Sequence, residues 1–104
     1  MKPSRGQMSE AVRQAFQVGT IRWLWTKGPM YRHCVRKRHA LWWALVAAHE
    51  VPVDEVARWV DRDKQAVHYG VRTATRVMAE DPTYRAQVHK MADRFYQQRK
   101  EVKR

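Results

Sequence analysis

An all-α fold, a single helical bundle containing a helix-turn-helix, is what the 104-residue sequence predicts. Apolar residues recur at spacings of three and four along most of the chain, no segment alternates with period two, and the breaks between periodic stretches carry residues that cap or stop helices. With 44% hydrophobic residues and 11% aromatic ones, five tryptophans among them, the chain has too much core-forming surface for a basic disordered tail. The length suits one domain.

Residues 1–8 hold Pro3, Gly6 and two basic residues without periodicity and read as a mobile leader. Ser9 is the expected N-cap of a first helix carrying Ala11, Val12, Ala15 and Phe16, with Gly19 as its stop. Thr20 then caps a short turn with Ile21, Leu24 and Trp25, and Lys27-Gly28-Pro29 breaks the chain, since proline disfavours helical backbone at the residue before it. From about Cys34 to Glu50 the pattern is apolar on most sides, with Leu41, Trp42, Leu45 and Val46 as its stripe, which predicts a central helix surrounded by the others. One of the adjacent Trp42 and Trp43 must point away from that stripe and marks a dimer or partner surface. Pro52 ends the helix.

Val53, Val56, Ala57 and Val60 give a short helix over about 53–60, with Asp54 and Glu55 where the positive end of the dipole favours acids. After a tight turn, Asp61 or Asp63 caps a helix with Val67, Val71, Ala74 and Met78 on one face and Lys64, Gln65, His68, Arg72 and Arg76 on another. Ala66, Gly70 and Ala74 put small residues on or beside its packing face. Asp81-Pro82 starts a last helix with the stripe Tyr84, Val88, Met91 and Phe95. Its period is lost from Gln97, so 9–97 reads as the domain and 98–104 as a basic frayed tail.

The 21 Lys and Arg against 10 Asp and Glu give a net charge of +11, an excess that implies a polyanionic partner. No acid lies between Glu10 and Glu50, where Arg13, Arg22, Lys27, Arg32, Arg36, Lys37 and Arg38 all fall. The longest apolar run, Ala40 to Ala48, is far short of the roughly 20 residues of a bilayer span, and no export signal opens the chain. With Cys34 as the one cysteine, a reducing cytoplasm is the expected setting, in association with the nucleoid. No phosphate-cradling glycine loop is present, which excludes nucleotide hydrolysis.

His33, Cys34 and His39 lack a fourth ligand at zinc-type spacing, and Asp63 and His68 imply neither pocket nor nucleophile. The expectation is therefore no metal, no cofactor and no enzymatic activity. The five tryptophans fall mostly at core spacing and read as packing rather than as base-stacking surfaces.

The short helix, turn and longer helix of 53–80 have the order of a helix-turn-helix whose second helix enters the major groove. Val35-Arg36-Lys37-Arg38, the apolar helix to Glu50, Val53-Asp54-Glu55-Val56 and above all Arg62-Asp63-Lys64-Gln65-Ala66-Val67-His68-Tyr69 resemble the C-terminal DNA-binding domain of the bacterial replication initiator DnaA. That family reads R-D-H-[ST]-T-V-x-[HY] here, and Arg62, Asp63, Val67 and Tyr69 fit. The similarity of helix order covers about residues 9–97.

The resemblance implies a Trp-repressor-like helical bundle in which the second helix reads bases and a basic loop before the long helix grips backbone and minor groove. Carried over, Asp63, Lys64, Gln65 and Ala66 are the base-reading positions, flanked by Arg62, His68 and Arg72. The loop 27–38 contributes Lys27, Arg32, Arg36 and Arg38. Lys64 replaces the family's His, Gln65 and Ala66 replace its hydroxyl residues, and Asp61 stands where glycines are usual, so a site other than the initiator's box is expected.

The family's ATPase domain is absent from this sequence, which makes the chain similar to stand-alone modules of phage-derived or gene-transfer-agent regulators. The expected function is sequence-specific binding of double-stranded DNA in transcription regulation. A second DNA-binding protein or an RNA polymerase component is the protein partner such a regulator would meet, and no membrane is involved. A modulator of replication origins, an RNA or single-strand binder and a basic protein-interaction module are the alternatives. The oligomeric state stays open.

Overall fold

The computed structural model describes residues 2–19, 22–25 and 31–102, with side chains as far as Phe95. It contains five α-helices, and no strand occurs among the described residues. None of these helices is long and apolar enough to cross a membrane.

Helix α1 spans Arg5–Phe16 and starts four residues earlier than its expected cap. Ser4, not Ser9, is the N-cap. Its hydroxyl accepts from the Gln7 amide at 3.0 Å, while its own amide donates to Gln7 Oε1 at 2.8 Å, a reciprocal capping box that satisfies two otherwise orphan donors. The helical stripe therefore begins at fully buried Met8, which removes part of the expected mobile leader. Ser9 instead accepts the Trp25 indole N–H at 2.9 Å. Gln17, in left-handed backbone with φ 54°, ends the helix before Gly19 can act as its stop.

A single 3-10 turn follows at Arg22–Leu24. The expected cap Thr20, its neighbour Ile21 and the Lys27-Gly28-Pro29 break lie outside the described residues. Helix α2, Arg32–Trp43, starts two residues before the expected boundary, and a wider π-type turn, Ala44–Ala48, continues it. The wide turn closes when the Val51 amide donates to the Leu45 carbonyl at 3.1 Å, just ahead of Pro52. As the all-round apolar pattern predicts, α2 is central and packs against α1, α4 and α5. Trp42 is in the core, while Trp43 is half-buried, edge-on to His89 at 5.6 Å. The expected partner surface at this tryptophan pair is thus packed within the chain.

Helix α3, Val53–Val60, buries Val56, Ala57 and Val60. It ends in a Schellman motif with Asp61 left-handed at φ 55°: the Arg62 amide donates to the Ala57 carbonyl at 3.0 Å and the Asp61 amide to that of Arg58 at 3.4 Å. Aspartate tolerates this backbone better than most residues, which lets it stand where a glycine would be usual.

Helix α4, Lys64–Glu80, is capped by Asp63, whose Oδ1 accepts from the Gln65 amide at 3.1 Å. Helix α5, Pro82–Val102, is started by Asp81, whose carboxylate accepts from the Tyr84 amide at 3.1 Å. It runs past the expected end at Gln97, because a helix already seated by Tyr84, Val88, Met91 and Phe95 propagates at little cost per residue. The core joins Met8 and Val12 of α1, Leu41 of α2, Val56 of α3, Val67 of α4 and Val88 and Met91 of α5, all fully buried. Burial of side chains of this size contributes about 1.5–3 kcal/mol each.

Candidate nucleic-acid interface

The segment from Val53 to Glu80 is a short helix, a three-residue link and a long helix, and the long helix has two unlike sides. Val67, Gly70, Ala74, Val77 and Met78 are buried, whereas Lys64, Gln65, His68, Tyr69, Arg72 and Arg76 are exposed. Ala66 is half-buried between the two sides. The buried side is seated on α2 at Gly70, where the rings of Trp42 and His39 lie closer than any side chain at this position would allow. The small residue lets α4 pack closely on α2 at this point.

At the first turn of α4 the expected base-reading residues have separate roles. Asp63 uses its Oδ1 as the helix cap. The Lys64 ammonium lies 3.6 Å from Oδ1 of Asp54 on α3, and both side chains are more than half exposed. Gln65 is exposed, with its backbone amide committed to the cap. With Asp54 paired to Lys64, and Asp61 and Asp63 in the link before it, the N-terminal end of α4 has mixed charge, while Arg72 and Arg76 make the next turns positive.

The start of α2 carries Arg32 and His33 in its first turn and no acid. Arg32 and Arg36 are exposed and lie, by their spacing of four and three, on the same side of α2 as His39. The His39 ring meets Tyr69 of α4 edge-on at 6.0 Å, so this side of α2 leads to the exposed side of α4. Arg36 is held by its backbone: the buried Tyr84 hydroxyl donates to its carbonyl at 2.6 Å. Burial pushes the Tyr84 hydroxyl above the ordinary range for a phenol, so it stays a donor.

Arg38 departs from the expected phosphate contact. It is 8% exposed, and its Nη2 donates to the Trp23 carbonyl across the bundle. Burial, helped by the nearby Arg62 guanidinium, lowers its pKa to about 10. Its side chain is a brace between α2 and the 3-10 turn, selected inward because it lies two positions from the exposed Arg36, on another side of the helix. Arg62 is half-buried at the α3–α4 link. Lys27 lies outside the described residues.

His39, 6% exposed, has its pKa pulled down to about 4 by burial and then by Arg38, and its Nδ1 has no hydrogen-bond partner among the described residues. Cys34 is buried in the manner of a small hydrophobe.

Two exposed aromatic residues were not among the expected site residues. Tyr31 and Tyr69, at 76% and 59%, are the exposed large hydrophobic residues among those described. Tyr69 could have been found from its place four positions after Gln65 on the polar side of α4; Tyr31 had only its position beside Arg32 as a signal. Compared with known proteins, the chain matches no family, no curated protein and no solved structure.

Proposed function

We propose that the chain is a sequence-specific double-stranded-DNA-binding protein that acts in transcription regulation, with α4 in the major groove and the start of α2 on the phosphate backbone. The observation that carries this reading is one helix that exposes Lys64, Gln65, His68 and Arg72 while its other side is seated on α2 through Gly70. Long donors at the start of a projecting helix match the depth and the acceptor pattern of the major groove. The net charge of +11 and the exposed Arg32, Arg36, Arg72 and Arg76 supply the sequence-independent attraction to phosphate. The resemblance of Arg62 to Tyr69 to the initiator family's reading segment points the same way. In this reading Lys64 and Gln65 discriminate bases, Arg32 and Arg36 position the duplex, and Asp63 and Arg38 keep the reading helix and its neighbours in place.

Selection of bound sites from a random duplex pool, followed by a salt titration on the selected site, tests the proposal. A defined site should emerge, and log K should fall against log salt with a slope near −5 if about six phosphates are neutralised. A pool that stays random together with a slope near zero would overturn it.

A further inference from the structure

We propose that Tyr31 and His33 form a stacking platform for an unpaired nucleobase, so that the chain binds a duplex with a single-stranded extension more tightly than a blunt one. This rests on the duplex-binding reading and adds a second site to it.

Tyr31 is the most exposed large hydrophobic residue among those described, at 76%, and its side chain makes no capping hydrogen bond to α2. Its ring lies nearly parallel to that of His33, with 10° between the planes and 5.7 Å between the centroids. An offset stack of this kind occupies one face of the tyrosine, and the high exposure leaves room for a third ring on the other. The tryptophans, the obvious stacking residues in the sequence, are instead all packed into or against the core.

The surroundings of the pair select the chemistry of the third ring. Arg32 and Arg36 are exposed and form no ion pair with a described carboxylate, and the Lys37 ammonium donates to the His33 carbonyl at 3.2 Å. An acidic peptide would meet the cations but leave the stacked rings idle. A nucleotide meets both, with a π-face on its base and a charge on its phosphate. Within a duplex each base already stacks on two neighbours, so a base must be unpaired to offer its face without the cost of extrusion.

Fluorescence anisotropy with three probes tests this: a blunt duplex carrying the selected site, the same duplex with a short oligothymidine overhang, and the same length of abasic sugar-phosphate as overhang. The thymidine overhang should tighten binding about tenfold, in line with the loss seen when a stacking side chain is truncated. The gain should vanish with the abasic overhang and in Tyr31→Ala, and persist in Tyr31→Phe. Equal affinities for blunt and extended duplex, or a gain that survives in Tyr31→Ala or on the abasic probe, would overturn the platform. If no duplex is bound at all, the reading it rests on fails separately. Binding of free oligothymidine that depends on Tyr31 would then still uphold the platform, and its absence would overturn it.

Discussion

A Cβ added to Gly70 would stand 2.4 Å from Cε3 of Trp42 and 2.7 Å from Cδ2 of His39. Gly70→Ala should therefore destabilise the fold although alanine is the better helix former. The propensity gain is at most about 1 kcal/mol, whereas forcing a methyl against rings that are themselves buried costs about 1–3 kcal/mol or more. A net loss of about 1–2 kcal/mol is expected in urea unfolding. An unchanged or higher midpoint would mean that Trp42 can yield.

Arg36 and Arg38, two positions apart, should respond to truncation in opposite ways. Arg36→Ala leaves the Tyr84 bond intact, because that bond uses backbone, and should weaken binding to every duplex alike with the unfolding midpoint unmoved. Arg38→Ala removes a donor to the part-buried Trp23 carbonyl together with a buried side chain, and should lower stability by about 1–3 kcal/mol. Gel shifts and denaturant curves on both variants separate the two roles. A stable Arg38→Ala protein with reduced affinity would return that side chain to the DNA surface.

In the proposed complex Asp54 would compete with DNA for Lys64. An exposed pair at 3.6 Å is worth about 0.2–1 kcal/mol, so Asp54→Asn should raise affinity for any duplex by up to about fivefold at low salt. The salt dependence should also steepen by about one phosphate's worth. A weaker-binding variant would show instead that Asp54 helps to orient the lysine on its target.

Discrimination should be concentrated at Gln65, whose side chain is exposed while its backbone is pinned by Asp63. Gln65→Ala should lower affinity for the selected site by roughly tenfold, since a bidentate base contact is worth about 1–3 kcal/mol, and should spare a scrambled duplex. Equal losses on both duplexes would show that this residue positions the protein without reading bases.

Folding keeps His39 neutral, which gives stability a pH dependence of defined sign. Its pKa falls from an ordinary 6.5 to about 4 in the folded chain, so between those values the unfolded state binds more protons. The contribution is complete above about pH 6.5 and drains away as pH falls towards 4, by at most about 1.4 kcal/mol per unit. Denaturation midpoints at pH 7, 6 and 5 should fall less steeply in His39→Gln than in the parent. Parallel slopes would assign the acid sensitivity to other groups.

The all-α class, the short helix at 53–60 and the aspartate-led start at 81 were legible because each depends on a local rule: apolar period, acid at the positive helix end, proline at the first position. For α4 the rule left Asp61 and Asp63 both open, and the structure has Asp63 as the cap. The start of α1 was missed because Ser4 and Ser9 both qualify as caps, and only the Gln7 side chain reaching back to Ser4 separates them. Among the expected site residues, the exposure of Lys64, Gln65, His68 and Arg72 was legible from helical spacing, since Val67 and Ala74 are buried on the opposite side. Arg38 was not, since a run of basic residues looks uniform in sequence while the helix turns each by about 100°. The three aspartates were visible one by one, but the pairing of Asp54 with Lys64 depends on how α3 folds back.

The hydrogen bond from Tyr84 to the Arg36 carbonyl joins residues 48 positions apart. Helices α3 and α4 lie between the two partners of this bond along the chain. Contacts of such separation are made late, because the intervening loop must be closed before they return any energy. The turn of α2 that presents Arg36 is thus tied through its backbone to α5 and not only to its sequence neighbours. A ligand that binds Arg36 in place would favour docking of α5 and slow its release.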